Sequence, residues 1–547
     1  MPPRPLRPPP PAAPTPPAVP AVPAVPAALA APAALTPPAA LVALAALAAF
    51  AAPACSRREP PGAAVAAVAE GAGGAKEAGE GDDEGDDEAG PSGRGAAGGA
   101  PELPSGPDYD VVPGAGPKLA AKATQTWVYE GPNDETLKLG YLRAGAVVDR
   151  GRLPVGTTKR CKKGWYRVAP EGYVCDGRRA TLDPSDPVVV ASWKAPKRGA
   201  PLPYLYGRSR DVPPMLYVRV PSRKEQERAE GSSLDDLPPK ERLVPLAGEP
   251  EPLPPFLAAG KPLPKPFGGT QRLHVGAHEG RAPPRSAFAF LSVHDVEGRL
   301  FGLSTNLNLV ALDRLQLAKP VAIHGGEVSD LPAGIVQGPT PRYRLGEPGT
   351  SPKHEGQYER YDLVSLTGRQ QGGLWETSDG FGIAGGAYKL VKKRDEWPSF
   401  AKPPSRKKWV DVSIKDQQLV AYEGQRAVYV APVSTGSAGL GDPETTTATK
   451  RGVFTIKAKH LTATMSGAQA EDEYELADVP YVQYFEGGYA LHAAYWHDEF
   501  GRPRSHGCVN LTPRDAAWLF EWTEPSLPQG WHGVQAAGAG TIVYVRP

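Results

Sequence analysis

From about residue 118 onward, apolar and polar positions alternate in short runs separated by Gly, Pro, Asn and Asp, which is the pattern of half-buried strands joined by turns. TQTWVYEGPNDETLKLGYLRAGAVV, broken at Gly131-Pro132-Asn133-Asp134 and followed by GWYRVAPEGYVC, predicts a small β barrel over residues 118–185. Residues 186–400 are proline-rich, but AFAFLSVHDVEGRLFGLSTNLNLVAL from Ala287 and the stretch from Tyr361 to Leu390, with Leu374, Trp375, Phe381 and Ile383, predict further small β modules. The last segment, 405–547, opens with Val410, Val412 and Ile414 alternating with Asp411 and Ser413, and QLVAYEGQRAVYVAPVS predicts a hairpin turning at Glu423-Gly424. Further strands are expected at 453–456, 481–485, 489–492 and 541–545. Thr512-Pro513-Arg514-Asp515 supplies an N-cap, a first-turn proline and an acidic first turn for one short helix through Trp522. Trp518 and Trp522 share a face of that helix and are expected in the core. The fold class is mainly β and multidomain.

Composition narrows the folded part. The 547 residues include 65 prolines and 62 glycines, so the packed mass is smaller than the length suggests. The 61 basic and 60 acidic residues nearly cancel; no overall field recruits nucleic acid, and no motif calls for it. Residues 55–117 are Gly, Ala and acidic, with the run from Glu80 to Glu88, and cannot bury enough apolar surface to fold; a disordered tether is expected, with order beginning near Lys118. Residues 1–54 end in an apolar run from Ala39 to Ala52, followed by Pro53-Ala54-Cys55, too short to span a membrane and read as a secretory segment.

The chemistry concentrates in YALHAAYWHDEFGRPRSHGCVNL, Tyr489 to Leu511. A thiol with an ordinary pKa of about 8.5 is mostly protonated at neutral pH and needs a base to become a nucleophile. Cys508 supplies the thiol and His492, ending an apolar run, supplies the imidazole. Gly507 lets the backbone bend beside the sulfur and admits an acyl carbonyl to amide N–H groups, and Asn510 is placed to fix a loop carbonyl or the substrate. Set against this are a buried thiol acting as a small hydrophobe and a structural zinc held by His492, His497, His506 and Cys508. The zinc alternative gives Gly507 and Asn510 no role. His294 and His324 have no companion ligands and are taken as structural.

Ser505-His506-Gly507-Cys508-Val509-Asn510 with an upstream histidine resembles the signature of YkuD-type L,D-transpeptidases. The resemblance covers about the last quarter of the chain, from Trp409, and implies a β-rich catalytic domain with a short helix. In it Cys508 accepts the acyl group, His492 is the general base, and Ser505, His506, Gly507 and Asn510 form the oxyanion site and pocket. Only twelve residues (493 to 504) separate His492 from Ser505, fewer than the usual interval, and Ala493 stands where glycine or serine is common.

The resemblance also implies a cysteine-dependent acyltransferase acting on peptidoglycan stem peptides in cell-wall cross-linking or remodelling, needing no metal or organic cofactor and open to carbapenem-type inhibitors. An L,D-carboxypeptidase or endopeptidase using water as acceptor is the nearest alternative; a non-catalytic peptidoglycan-binding envelope lipoprotein is the other. Residues 118–185 resemble bacterial SH3-like modules, and Ala54-Cys55 resembles a lipoprotein signal, which implies lipidation at Cys55 and a membrane-anchored protein at the periplasmic face of the cell envelope. In that oxidising compartment Cys161 and Cys175 are expected to pair, closing a loop that contributes about 3 kcal/mol; two reduced structural thiols are the alternative.

Overall fold

The computed structural model describes residues 103–234, 237–266, 277–319, 324–467 and 474–547. The expected leader, most of the tether and Cys55 lie outside these residues.

The strands of the C-terminal domain are β1 (Lys408–Ser413), β2 (Gln418–Glu423), β3 (Arg426–Pro432), β4 (Gly452–Thr455), β5 (Ala458–Gly467), β6 (Tyr474–Glu486), β7 (Tyr489–Ala493), β8 (Val509–Leu511), β9 (Gly533–Gln535) and β10 (Ile542–Arg546), with one helix, α1 (Pro513–Trp522), between β8 and β9. β3, β2, β1, β10 and β4 lie side by side in one sheet, β1 running parallel to β10. The long hairpin β5–β6 leads into β7, which runs parallel to β8 with Leu491 opposite Val509 and His492 opposite Asn510. Val410, Val412, Val543 and Val545 from the first sheet pack against Tyr481, Phe485, Leu491, Val509 and Leu511 from the second and against Leu519 and Phe520 of α1. The alternating polar positions of β1 do not face water. Trp409 is buried in a second core with Tyr422 and Val430, and Asp411 is ion-paired to Arg394 (2.6 Å) and Arg546 (2.9 Å).

The helix begins as its sequence predicts: the Thr512 side chain accepts the Asp515 N–H, with Pro513 in the first turn. Asp515 itself is not a solvated first-turn acid. It is fully buried, takes hydrogen bonds from Tyr429 Oη (2.8 Å) and the Gly325 N–H (2.8 Å), and its carboxyl is pushed up to about 6 by desolvation.

Residues 118–185 form short strands whose core runs straight into the C-terminal domain: Leu119, Val128, Leu142 and Val174 belong to the same cluster as Val410 and Phe520. The expected tether is also shorter at its inner end, because Leu103 and Tyr109 pack with Val155, Cys161 and Trp165, and Arg167 pairs with Asp110 at 2.6 Å. Cys161 and Cys175 are joined by a disulfide. Within residues 186–400, the strands from Leu205 to Leu317 belong to a mixed sheet that meets β6 where Ala287 pairs with Leu476; a separate seven-stranded sheet spans residues 333–391 with its own small core. The three regions converge on Asp478 of β6, fully buried, which receives Arg143 (2.6 and 2.9 Å), Thr305 Oγ1 (2.5 Å) and Thr462 Oγ1 (2.6 Å), while Tyr206 Oη donates to its backbone carbonyl.

Candidate active site

The motif segment is pinned before any side chain is considered. The chain after β3 runs beside it: Ser434 and Asn510 exchange N–H···O bonds (2.9 and 2.8 Å), the Ser505 N–H donates to Thr435 O (3.0 Å) and the Ser437 N–H to Ser505 O (2.7 Å). Ser505 then closes a local turn, its hydroxyl donating to the Cys508 carbonyl and accepting the Gly507 N–H at 3.1 Å. Gly507 sits at φ +126°, a conformation side chains disfavour, and an added Cβ would meet the Tyr489 ring at 2.8 Å. The Gly507 N–H is already taken by Ser505 Oγ, so what Gly507 itself supplies is the bend and the clearance beside the sulfur that the sequence suggests.

Because Leu491, Ala493, Val509 and Leu511 face the main core, Ala490, His492 and Asn510 face the other way, and Cys508 packs with Ala490, Val479, Val482 and Trp496 on that same side. Cys508 is the free cysteine among the described residues. Its sulfur lies 3.6 Å from the Gly488 carbonyl, and its pKa is pushed up to about 11 by burial, against which the Ala490 N–H pulls only weakly.

His492 is buried, its Nδ1 3.0 Å from the Ala493 carbonyl, so Nδ1 carries the proton and Nε2 is the basic nitrogen. Desolvation lowers its pKa to about 4. The resting pair is therefore a neutral thiol and a neutral imidazole. No hydrogen bond joins them among the described residues.

His497 is more constrained than its loop position and acidic neighbours suggest. Nδ1 accepts the Glu499 N–H (3.3 Å), the ring packs on Phe500 with centroids 4.8 Å apart, Nε2 lies 3.1 Å from the Asn510 side-chain amide, and burial lowers its pKa to about 4. His506 is exposed. Among the described residues no group of three or more His, Cys, Asp or Glu side chains is disposed to hold a metal ion. His294 is buried, bonded through Nδ1 to Glu251 O (3.0 Å) and through Nε2 to Ser292 Oγ (2.8 Å). Trp496, whose ring centroid is 5.9 Å from that of His492, and Tyr489, which crowds Gly507, escape a motif search because they lie outside the run from Ser505 to Asn510.

Residues 407–545 match the YkuD family, the L,D-transpeptidase catalytic domain. This segment is a YkuD-type L,D-transpeptidase catalytic domain. The curated protein YciB of Bacillus subtilis (strain 168), provisionally named an L,D-transpeptidase, is 26% identical over 164 residues, covering 24% of this chain and 72% of its own. Among solved structures, a mutant of the Enterococcus faecium L,D-transpeptidase is 23% identical with a TM-score of 0.20, covering 26% of this chain and 51% of that one. An L,D-transpeptidase from Stackebrandtia nassauensis is 26% identical with a TM-score of 0.19, covering 27% and 57% respectively. This chain thus spans about half the length of these two solved chains. Outside the YkuD domain lie the β modules of residues 103–400.

Proposed function

We propose that this protein is a cysteine-dependent peptidoglycan L,D-transpeptidase whose nucleophile is Cys508 and whose general base is His492. The observation that carries this is a free thiol at the head of β8, inside the YkuD domain, on the sheet face that it shares with a histidine whose Nε2 is the basic nitrogen.

The chemistry follows from two neutral partners. At pH 7 a thiol with a pKa near 11 is ionised about one time in ten thousand, so attack does not draw on a standing thiolate. The proton leaves Sγ for His492 Nε2 as the S–C bond forms to the carbonyl of the diamino-acid residue in a stem tetrapeptide. The tetrahedral intermediate collapses by breaking the C–N bond. The terminal D-amino acid departs with the proton from His492, leaving an acyl-enzyme on Cys508. An acceptor amine then attacks, His492 takes its proton, and the C–S bond breaks to restore the thiol. Apolar walls from Val479, Val482 and Trp496 keep water from the thioester, which favours the amine as acceptor. A secreted protein anchored through Cys55 accords with a disulfide at Cys161–Cys175, which persists in oxidising compartments.

The experiment is incubation with tetrapeptide-containing muropeptides. Cross-linked dimers support the proposal, tripeptides make the protein a hydrolase, and unchanged substrate makes it a binder.

A further inference from the structure

The loop that follows β7 is held by side chains far away in sequence. Tyr361 Oη lies 2.8 Å from the carbonyl oxygens of both Asp498 and Phe500, and Lys389 Nζ donates to Gly501 O at 2.6 Å. Ser434 Oγ donates to the Glu499 carbonyl between them at 3.1 Å. Lys389 belongs to the sheet of residues 333–391, and Tyr361 to the turn joining two of its strands, Lys353–Tyr358 and Leu363–Gln371, both outside the YkuD domain. Tyr361 is 3% exposed and holds φ +75°, a conformation that costs a side-chain-bearing residue about 1–3 kcal/mol. Two backbone anchors keep it there: its N–H donates to Val336 O (2.8 Å) and the Glu359 N–H donates to the Asp362 carboxylate (2.7 Å). The strained turn delivers the phenol to the loop.

The loop in turn controls a polar group at the reaction centre. With the Glu499 N–H donating to His497 Nδ1, the ring proton sits on Nε2, and the amide atom of Asn510 that faces it must be an acceptor. An amide nitrogen there would set donor against donor, so Oδ1 belongs at that position. The other end of the same amide is buried and has no hydrogen-bond partner among the described residues, while Asn510 itself is 3% exposed and lies on the Cys508 face of β8, opposite His492. In the structure that end is Oδ1, with no donor in reach among the described residues; turning the amide so that Oδ1 faces His497 Nε2 puts the N–H pair there instead, on the Cys508 side of β8. A buried donor left unpaired costs about 1–3 kcal/mol, and a substrate carbonyl or carboxylate entering beside Cys508 would relieve it.

We propose that the 333–391 sheet is a positioning element of the reaction centre: through Tyr361 and Lys389 it fixes residues 498–501, and through His497 it turns the Asn510 amide so that its N–H pair meets the substrate acyl group. This rests on Cys508 and His492 being the reacting pair. His497 is then a positioning residue and carries no proton in the reaction.

The test uses the full chain and time-resolved intact-protein mass spectrometry of carbapenem capture over a range of concentrations, which separates the maximal acylation rate from the half-saturating concentration. Thermal melts are taken on the same samples. The expected result is that Tyr361→Phe combined with Lys389→Met lowers the maximal rate by about tenfold or more, with a folded protein at the assay temperature and little change in half-saturating concentration. His497→Ala falls by a similar factor, and His497→Gln returns to within a few-fold of the parent, because its amide N–H still donates to Asn510 Oδ1. An unchanged maximal rate in the Tyr361→Phe, Lys389→Met protein overturns the inference, as does a loss that appears only where that protein has melted. A His497→Gln protein as slow as His497→Ala overturns it too, since glutamine can orient but cannot carry a proton. Cys508→Ala separates the two levels: capture that survives it defeats the proposed function itself.

Discussion

A thiol raised to about 11 and an imidazole lowered to about 4 share one physical cause, removal from water, and Trp496 packs beside both. Their neighbourhood favours the uncharged form of each. The consequence for reactivity is specific. Alkylation of Cys508 by iodoacetamide should climb steadily from pH 7 past pH 9, without the plateau near neutrality that a thiolate–imidazolium pair produces. Such a plateau would mean that the two side chains ionise each other at rest. The acyl-transfer rate depends on neutral His492, so it should hold level from pH 8 down to about pH 5 and fall as the pH approaches about 4. At this scale the motif was legible: Cys508, Gly507 and Asn510 announce themselves by type and spacing. The orientation of the Asn510 amide was not, because the groups that set it, Glu499 through His497, act across a loop with no periodic pattern.

Among the elements, β5 and β6 were the ones hidden from the sequence. The strand expected at 481–485 extends from Tyr474 to Glu486, and its partner Ala458–Gly467 was not expected at all. Lys459, His460, Thr462 and Asp478 break the apolar alternation, and Pro480 stands inside a paired strand opposite Thr462. Each polar residue is nevertheless buried with a distant partner. Lys459 Nζ donates to the carbonyls of Phe520 (2.5 Å) and Thr523 (2.8 Å) at the end of α1, His460 Nδ1 meets Tyr141 Oη at 2.9 Å, and Asp478 collects Arg143, Thr305 and Thr462. A local pattern reads such positions as exposed; only the neighbouring modules make them interior. Removing one partner of the Arg143–Asp478 pair leaves a buried charge uncompensated, so Arg143→Met should cost about 3–5 kcal/mol in chemical denaturation. Adding Asp478→Leu to Arg143→Met should recover part of that loss. A cost below about 1 kcal/mol for Arg143→Met would show that the pair does not hold the modules to β6.

For the whole molecule, the cores matter more than the count of modules. Leu119, Val128 and Leu142 share one apolar cluster with Val410, Val509 and Phe520, so residues 118–185 and the YkuD domain complete each other's interior. Short alternating runs announced both sets of strands, but that they share a core is a tertiary fact no local pattern carries. His460 and His532 lie buried where these regions meet, and desolvation lowers the pKa of His460 to about 4 and pushes that of His532 down as well. Since the folded values lie below the unfolded value of about 6.5, the unfolded chain binds protons first, and stability is lost as pH falls from about 6.5 toward 4. By pH 4.5, two units below the unfolded value, His460 alone costs on the order of 2–3 kcal/mol, and His532 adds in the same direction. Asp515, held near 6, acts in the opposite sense, stabilising the fold most at low pH, while His492 and His497, lowered to about 4 by the same cause, add to the loss. The melting temperature should therefore drop between pH 6.5 and 4.5, and replacing His460 and His532 with glutamine should lessen that drop; an acid profile unchanged in the variant would show that these two histidines do not contribute to it.

Acyl transfer through Cys508 is decided by acid-quenching the protein with a disaccharide tetrapeptide and mapping the adduct by peptide mass spectrometry. A tripeptide acyl group is expected on the peptide that contains Cys508, with release of the terminal D-amino acid, and neither product from Cys508→Ala. Release of the D-amino acid by the Cys508→Ala protein would contradict it.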